Sequence, residues 1–167
     1  MSSSPRSSSK LRRAVVLAVV GGVILSGLAL FLSRRTGRGV VDGPLSFTPR
    51  ALRCVGEVMG DEFFSAVAER GTFCIVEVRV ENLGKEPVTY VAEHQRALVG
   101  SDEFAPSEQG LDATVEGHVE RRLEPGSAVD LLIVFDVPSR PHALSFHASA
   151  ETRGAITDVT ALPERSE

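Results

Sequence analysis

Several chemistries are missing from this chain. It has two cysteines, two methionines and four histidines in 167 residues, and no tryptophan. Cys54 and Cys74 are not spaced Cys-x-x-Cys, which removes the usual form of a redox pair. His94, His118, His142 and His147 show no His-x-x-x-His or His-Glu-x-x-His spacing, so a zinc site has no signature. Copper carriers hold a soft metal with clusters of Met and His, and Met1 and Met59 are isolated. No Asp-x-Asp-x-Asp-Gly run announces a calcium loop. Ser101 and Ser107 lie outside any Gly-x-Ser-x-Gly elbow, so a serine hydrolase has no support. No catalytic residue, metal ligand or cofactor is expected.

Acidic residues are absent from the first 39 positions, which hold seven of the 18 Lys and Arg. Inside this basic region, residues 14–32 (AVVLAVVGGVILSGLALFL) carry no charge, and Ser26 is their single polar side chain. Nineteen residues of helix rise about 28 Å, close to the thickness of a bilayer's hydrocarbon layer. Arg6, Lys10, Arg12 and Arg13 precede the run, and Arg34, Arg35 and Arg38 follow it. Length and basic flanks argue against a buried core helix and for a transmembrane segment. Gly27 and Ala29 could form a small-x-small cleavage site. The apolar run continues through Leu30-Phe31-Leu32 to a stop at Arg34 and Arg35, so an uncleaved anchor is expected. No Cys lies near residue 30, which leaves no lipoprotein signal. Gly22-x-x-x-Ser26 is a helix-pairing spacing that apolar anchors often carry by composition alone.

The flanking charges are nearly balanced, so the orientation rests on the cargo. Residues 1–13 form a short, basic, Ser-rich tail with the composition of disorder. The longer C-terminal part is the expected cargo, which puts the N-terminus in the cytoplasm and the rest outside the cell membrane. The expected order is tail 1–13, anchor 14–32, linker 33–44 with Gly37, Gly39 and Gly43-Pro44, one domain at 45–162, and a frayed tail at 163–167.

Residues 40–167 hold 11 basic and 22 acidic residues, a net charge of −11 that the whole-chain value of −4 conceals. Such a domain is poorly suited to nucleic acid or anionic lipid. It would attract basic partners or cations, and it would be soluble. Arg outnumbers Lys sixteen to two, a bias of coding composition that bears on source and not on mechanism.

The soluble part reads as β structure. Over 73–84 (FCIVEVRVENLG), Cys74, Val76, Val78 and Val80 share one parity while Glu77, Arg79 and Glu81 take the other, the pattern of a half-buried strand. Asn82-Leu-Gly-Lys85 supplies a turn, and the next strand starts at Pro87–Ala92. A second hairpin is expected from 115–123 to 129–137, through Pro125-Gly126 at the centre of a type II turn. The apolar run VDLLIVFDV suits a central strand. Strands are expected again at 142–148 and 155–162, with one or two in 45–58. Residues 60–71 suit a short helix or a loop carrying Phe63 and Phe64 inward. Six to eight short strands without a long amphipathic helix predict an all-β, antiparallel β-sandwich.

Three segments then resemble a known family. Gly71-Thr-Phe-Cys-Ile-Val-Glu-Val-Arg-Val-Glu-Asn-Leu-Gly84 resembles its G-x-F-x-x-V-x-V-x-V-x-N-x-G strand. Leu98–Phe104 resembles the segment that follows, and Leu123–Ser127 with Ile133–Pro138 resembles its L-x-P-G … V-F-D-V-P pair. Together they resemble domain-of-unknown-function family 4352, the telokin-like, immunoglobulin-fold extracytoplasmic domains of bacteria. The resemblance spans roughly residues 45–150. It implies an immunoglobulin-like sandwich hung from a lipoprotein or membrane anchor, without assigned catalytic residues.

Two features remain as candidate sites. Cys54 shares parity with Leu52, and Cys74 shares parity with Val76, so both thiols point toward the core. In an exported domain they form a possible disulfide, or else two buried small apolar residues. Asp102, Glu103, Glu108 and Asp112 crowd a long connection at 100–114, a possible binding loop or simply a solvated one. The expected function is a membrane-anchored, non-enzymatic binding or interaction module of the bacterial cell envelope. It would hold the membrane through residues 14–32, meet a protein partner in the envelope and take no nucleic acid. The alternative is an accessory domain that senses a ligand or cation through the 100–114 loop.

Overall fold

The alternating run becomes strand β5 (Thr72–Asn82), in which Cys74, Val76, Val78, Val80 and Asn82 form one buried row. It lies inside a four-stranded antiparallel sheet ordered β1 (Val40–Asp42), β2 (Leu45–Gly56), β5, β10 (Ala128–Val137). The computed structural model describes residues 39–60, 65–112 and 120–164. All of them belong to one unit of the chain, Thr36–Glu167. The tail at 1–13, the anchor at 14–32, Phe63, Phe64 and His118 lie outside the described residues. Among the described residues no helix is long and apolar enough to cross a membrane.

A bulge explains why β2 does not alternate cleanly. Its register against β5 steps from Pro49↔Val78 to Ala51↔Glu77, skipping Arg50. The inward row therefore changes from Leu45 and Phe47 to Leu52 and Cys54, because one extra residue reverses the parity of everything after it.

The second sheet is ordered β12 (Ala155–Asp158), β11 (Ala143–Phe146), β7 (Arg96–Val99), β8 (Asp102–Phe104), again antiparallel. The sheets meet where Phe47 of β2 stacks on Phe146 of β11, ring centroids 5.0 Å apart and planes 10° from parallel. Tyr90 closes on Phe47 at 6.5 Å. Two ribbons complete the β-sandwich: β3 (Val58–Gly60) with β4 (Ser65–Val67), and β6 (Val88–Val91) with β9 (Glu120–Leu123). In the segment read as helix or loop at 60–71, Gly60 and Ser65–Val67 are strand and 68–71 is irregular, as a loop would be.

Other expectations change. The Pro125-Gly126 turn forms, with Gly126 at φ 72° and the Ser127 N–H bonded to Glu124 O at 3.0 Å. It does not close a hairpin, however: β9 pairs with β6, and β10 pairs with β5. The turn carries the chain between sheets. β10 is the last strand of its sheet, not a central one. Its apolar run reflects cover on both faces, since a short helix, α1 (Glu108–Asp112), lies over Val134. The sheet begins inside the expected linker, where Val40–Asp42 pairs with Leu45–Phe47 around Gly43-Pro44. At the other end β12 stops at Asp158, and the following residues are docked. The Leu52 N–H bonds Pro163 O at 3.3 Å, and Arg140 pairs with Glu164 at 2.9 Å. Residues 163 and 164 of the expected frayed tail are therefore held; 165–167 lie outside the described residues.

Candidate functional site

The expected acidic loop is mostly regular structure. β8 pairs with β7, placing Asp102 opposite Val99 and Glu103 opposite Leu98. Pro106 then bridges to Phe135, and the Ser107 N–H bonds Val134 O at 2.8 Å. Ser107 caps α1: its Oγ accepts the Gly110 N–H at 3.1 Å, and its carbonyl accepts the Leu111 N–H at 3.0 Å. Gly110 and Leu111 are buried, and a Cβ on Gly110 would lie 2.5 Å from Val134 Cγ1. Glycine is what lets α1 approach the sheet this closely. Residues 102–112 form a strap from the edge of the second sheet, past β10, onto the outer face of the first. Asp102, Glu103, Glu108 and Asp112 are exposed along this strap, divided between β8 and α1. Among the described residues, no group of three or more His, Cys, Asp or Glu could hold a metal ion. The loop expectation is corrected for a simple reason: three-residue strands and one-turn helices carry too few residues to show a period.

The cysteines are joined. Cys54 faces Cys74 in register, with an S–S distance of 2.01 Å and a Cα–Cα distance of 4.0 Å. The bond links adjacent strands of one sheet and does not cross the core. The Leu52 N–H points away from β5, to Pro163. Cys54, two residues on, has the same orientation, which makes it a closely spaced, non-hydrogen-bonded partner of Cys74. Cys74 is fully buried, and Cys54 is half-buried.

Beyond Cys54 the chain enters the β3–β4 ribbon, which packs one side on the core. Met59 and Ala66 are buried on its inner side, while Val58 and Val67, directly paired, are each 61% exposed. Buried Asp136 fixes the returning limb. It accepts the Glu69 N–H at 2.7 Å and the Arg70 N–H at 3.1 Å, and Arg70 lies over the Phe104 ring at 5.8 Å. The departing limb is held by Thr72, whose Oγ1 accepts the Gly56 N–H at 3.1 Å.

Two buried amides organise the corners. Asn82, the chain's one asparagine, donates to Glu86 O at 2.8 Å and Leu123 O at 3.1 Å, and accepts the Gly84 N–H at 2.9 Å. Its backbone takes the Gly126 N–H at 2.8 Å. Both inter-sheet turns are thereby locked to one residue. Gln95 donates to Val91 O at 2.8 Å and His147 O at 3.0 Å, and accepts the His147 N–H at 2.9 Å. Ser145 Oγ meets His147 Nε2 at 2.9 Å, and His147 Nδ1 meets Thr152 O at 3.2 Å. Gly154 lies directly against this pair: a Cβ there would stand 2.5 Å from the imidazole and 2.8 Å from Ser145 Oγ. With Ser145 buried beneath it, the Ser–His pair works as a structural bond that closes the 147–154 turn. By motif alone, Ser107 and His147 are only unmatched catalytic candidates. Ser107 caps through residues three and four positions on, while the His147 corner also needs Gln95, 52 residues away.

Among the described residues, two titratable groups depart clearly from their ordinary behaviour. Burial pushes the Tyr90 hydroxyl far up, and among the described residues it has no hydrogen-bond partner. The Thr160 hydroxyl and then the Thr160 N–H hold the exposed Asp158 carboxyl below its ordinary 3.8.

Similar solved structures include the following. The crystal structure of the yjhA protein from Bacillus subtilis matches with a TM-score of 0.51 and 19% identity, over 66% of this chain and 77% of that one. MPT63, a secreted protein of Mycobacterium tuberculosis, matches with a TM-score of 0.43 and 14% identity, over 68% and 86% of the two chains. A functionally unknown protein from Listeria monocytogenes matches with a TM-score of 0.46 and 9% identity, over 77% and 83%. No curated protein matches the sequence. The strand, turn and V-F-D-V-P segments that suggested a family all fall within residues 35–156, which match the model of one family: the chain belongs to Domain of unknown function (DUF4352).

Proposed function

We propose that this chain is a membrane-anchored, extracytoplasmic module of the bacterial cell envelope, with an immunoglobulin-like sandwich that binds another envelope protein and performs no catalysis. The observation that carries this reading is the Cys54–Cys74 disulfide. Disulfides persist in oxidising compartments, and reducing cytosol keeps thiols free. The apolar run at 14–32 with its basic flanks supports an anchor on the same side of the argument. The net charge of −11 over residues 40–167 favours a basic protein surface as partner over nucleic acid or anionic lipid.

Protease added to intact spheroplasts tests the topology. The domain is expected to be digested without lysis, and alkylation before reduction is expected to leave both cysteines unlabelled. Protection until lysis, together with free thiols, would place the domain in the cytoplasm and end this reading.

A further inference from the structure

We infer that the Cys54–Cys74 bond is a redox switch at the root of the β3–β4 ribbon: a dithiol reductant opens it in the folded domain and loosens the ribbon's departing limb. This inference needs only the fold and does not rest on the anchored reading.

Three observations support it. First, the bond is not what pairs its strands. β2 and β5 are laddered from Leu45↔Asn82 to Gly56↔Phe73, so their pairing continues on both sides of the cysteines. Second, the ring that the bond closes, residues 54–74, contains the ribbon. The two limbs are held unequally. Asp136 clamps the returning limb with bonds to the Glu69 and Arg70 N–H groups. The departing limb, Val55 and Gly56, follows a register break after Cys54 and is tied to β5 there by the exposed pair of Thr72–Gly56 bonds and the disulfide; beyond it Glu57 O takes the Ala68 N–H at 2.7 Å, a bond to the other limb and not to the sheet. Third, the two cysteines differ in access, since Cys54 is half-buried and Cys74 is fully buried. Of the two residues, Cys54 is the more accessible to a reductant.

The chemistry is ordinary exchange. One thiolate of the reductant attacks Cys54 Sγ, the S–S bond breaks, and Cys74 leaves as a thiolate. The second thiol of the reductant then attacks the mixed disulfide and releases Cys54. Two electrons pass to the protein, the reductant becomes its own disulfide, and both cysteines take protons from water. The two sulfurs then move apart to van der Waals distance, and the covalent tie at the root of the ribbon is lost. The movement falls on the less firmly held limb.

The test uses the full-length protein with dithiothreitol as the dithiol, followed by alkylation mass shift, thermal unfolding and amide hydrogen exchange. Both cysteines are expected to label in a population that still melts cooperatively. Exchange at residues 55–60 is expected to rise about ten-fold or more, while β11 and β12 keep their protection. The double variant Cys54→Ser/Cys74→Ser is expected to fold and to reproduce that exchange pattern without reductant. Labelling that appears only with global unfolding would overturn the inference. So would reduction without a local change at 55–60, or a double variant that does not fold.

Discussion

In the first sheet, β2, β5 and β10 run for 12, 11 and 10 residues, whereas no strand of the second sheet exceeds four. The long strands are held by ladder bonds and by a continuous inward row of Val, Leu, Ile and Phe. The short strands depend much more on side chains that reach the backbone: Gln95 to Val91 and His147, Ser145 to His147, and Asp42 Oδ2 to the Ala148 N–H at 2.6 Å. Hydrophobic burial is roughly proportional to area, so a four-residue strand gains little from it. Satisfying buried polar groups becomes the larger share of what defines such a strand.

The strongest test of this contrast is Gln95→Leu, which puts an apolar side chain of similar size in place but strands three part-buried backbone groups. A loss of about 3 kcal/mol is expected from the denaturation midpoint. Arg79→Leu on the first sheet, where the exposed guanidinium pairs with Asp130 at 3.5 Å, is expected to cost about 0.5 kcal/mol or less. Equal losses at the two sites would dissolve the distinction.

Gly110→Ala probes the strap on the first sheet. The new Cβ meets Val134 of β10, part of a rigid ladder, so overpacking of about 2 kcal/mol is expected in thermal unfolding. A neutral result would mean that α1 rides loosely over the sheet.

Tyr90 lies where the two sheets meet, and it is the chain's single tyrosine. Removing its hydroxyl, which is buried without a partner among the described residues, in Tyr90→Phe is expected to raise stability by about 1 kcal/mol. Burial raises its folded pKa above the unfolded value of 10.0, so the folded state holds the proton more tightly. The associated stability is full below that pH and is lost as pH climbs above it. Phenolate absorbance should therefore rise together with unfolding and not before it. A phenolate signal in protein that remains folded would contradict the burial.

The smallest effect is expected at Asp158, at the end of β12. Its folded pKa is depressed, so its stabilisation is present above the unfolded value and is lost as pH falls through the folded one. Asp158→Asn should slightly flatten the acid side of the melting-temperature profile, and an unchanged profile would show that the Thr160 bonds carry no stability.

Legibility followed the same division. Alternation at 74–82 was readable because each residue had one buried and one open side. The β2 parity switch at Arg50, the double-sided cover of β10 and the strap at 102–112 were not readable, since each is produced by a segment distant in sequence. The two turns at Asn82 and at Pro125-Gly126 were visible as turns. Their partners were not, because a turn's local conformation specifies a change of direction and leaves open which sheet receives the chain.

The amino-acid sequence by itself determined the all-β class, the family, the long half-buried strand and the conformation of Gly126. These rest on local stereochemistry and on a two-residue period that survives in any antiparallel arrangement. Tertiary structure alone decided that Cys54 and Cys74 meet within one sheet, that the four carboxylates of the strap are kept apart, and that Asn82 and Gln95 hold the corners. Those outcomes depend on register and on polar groups finding partners across 20 to 52 residues of chain, over which local pattern carries no information.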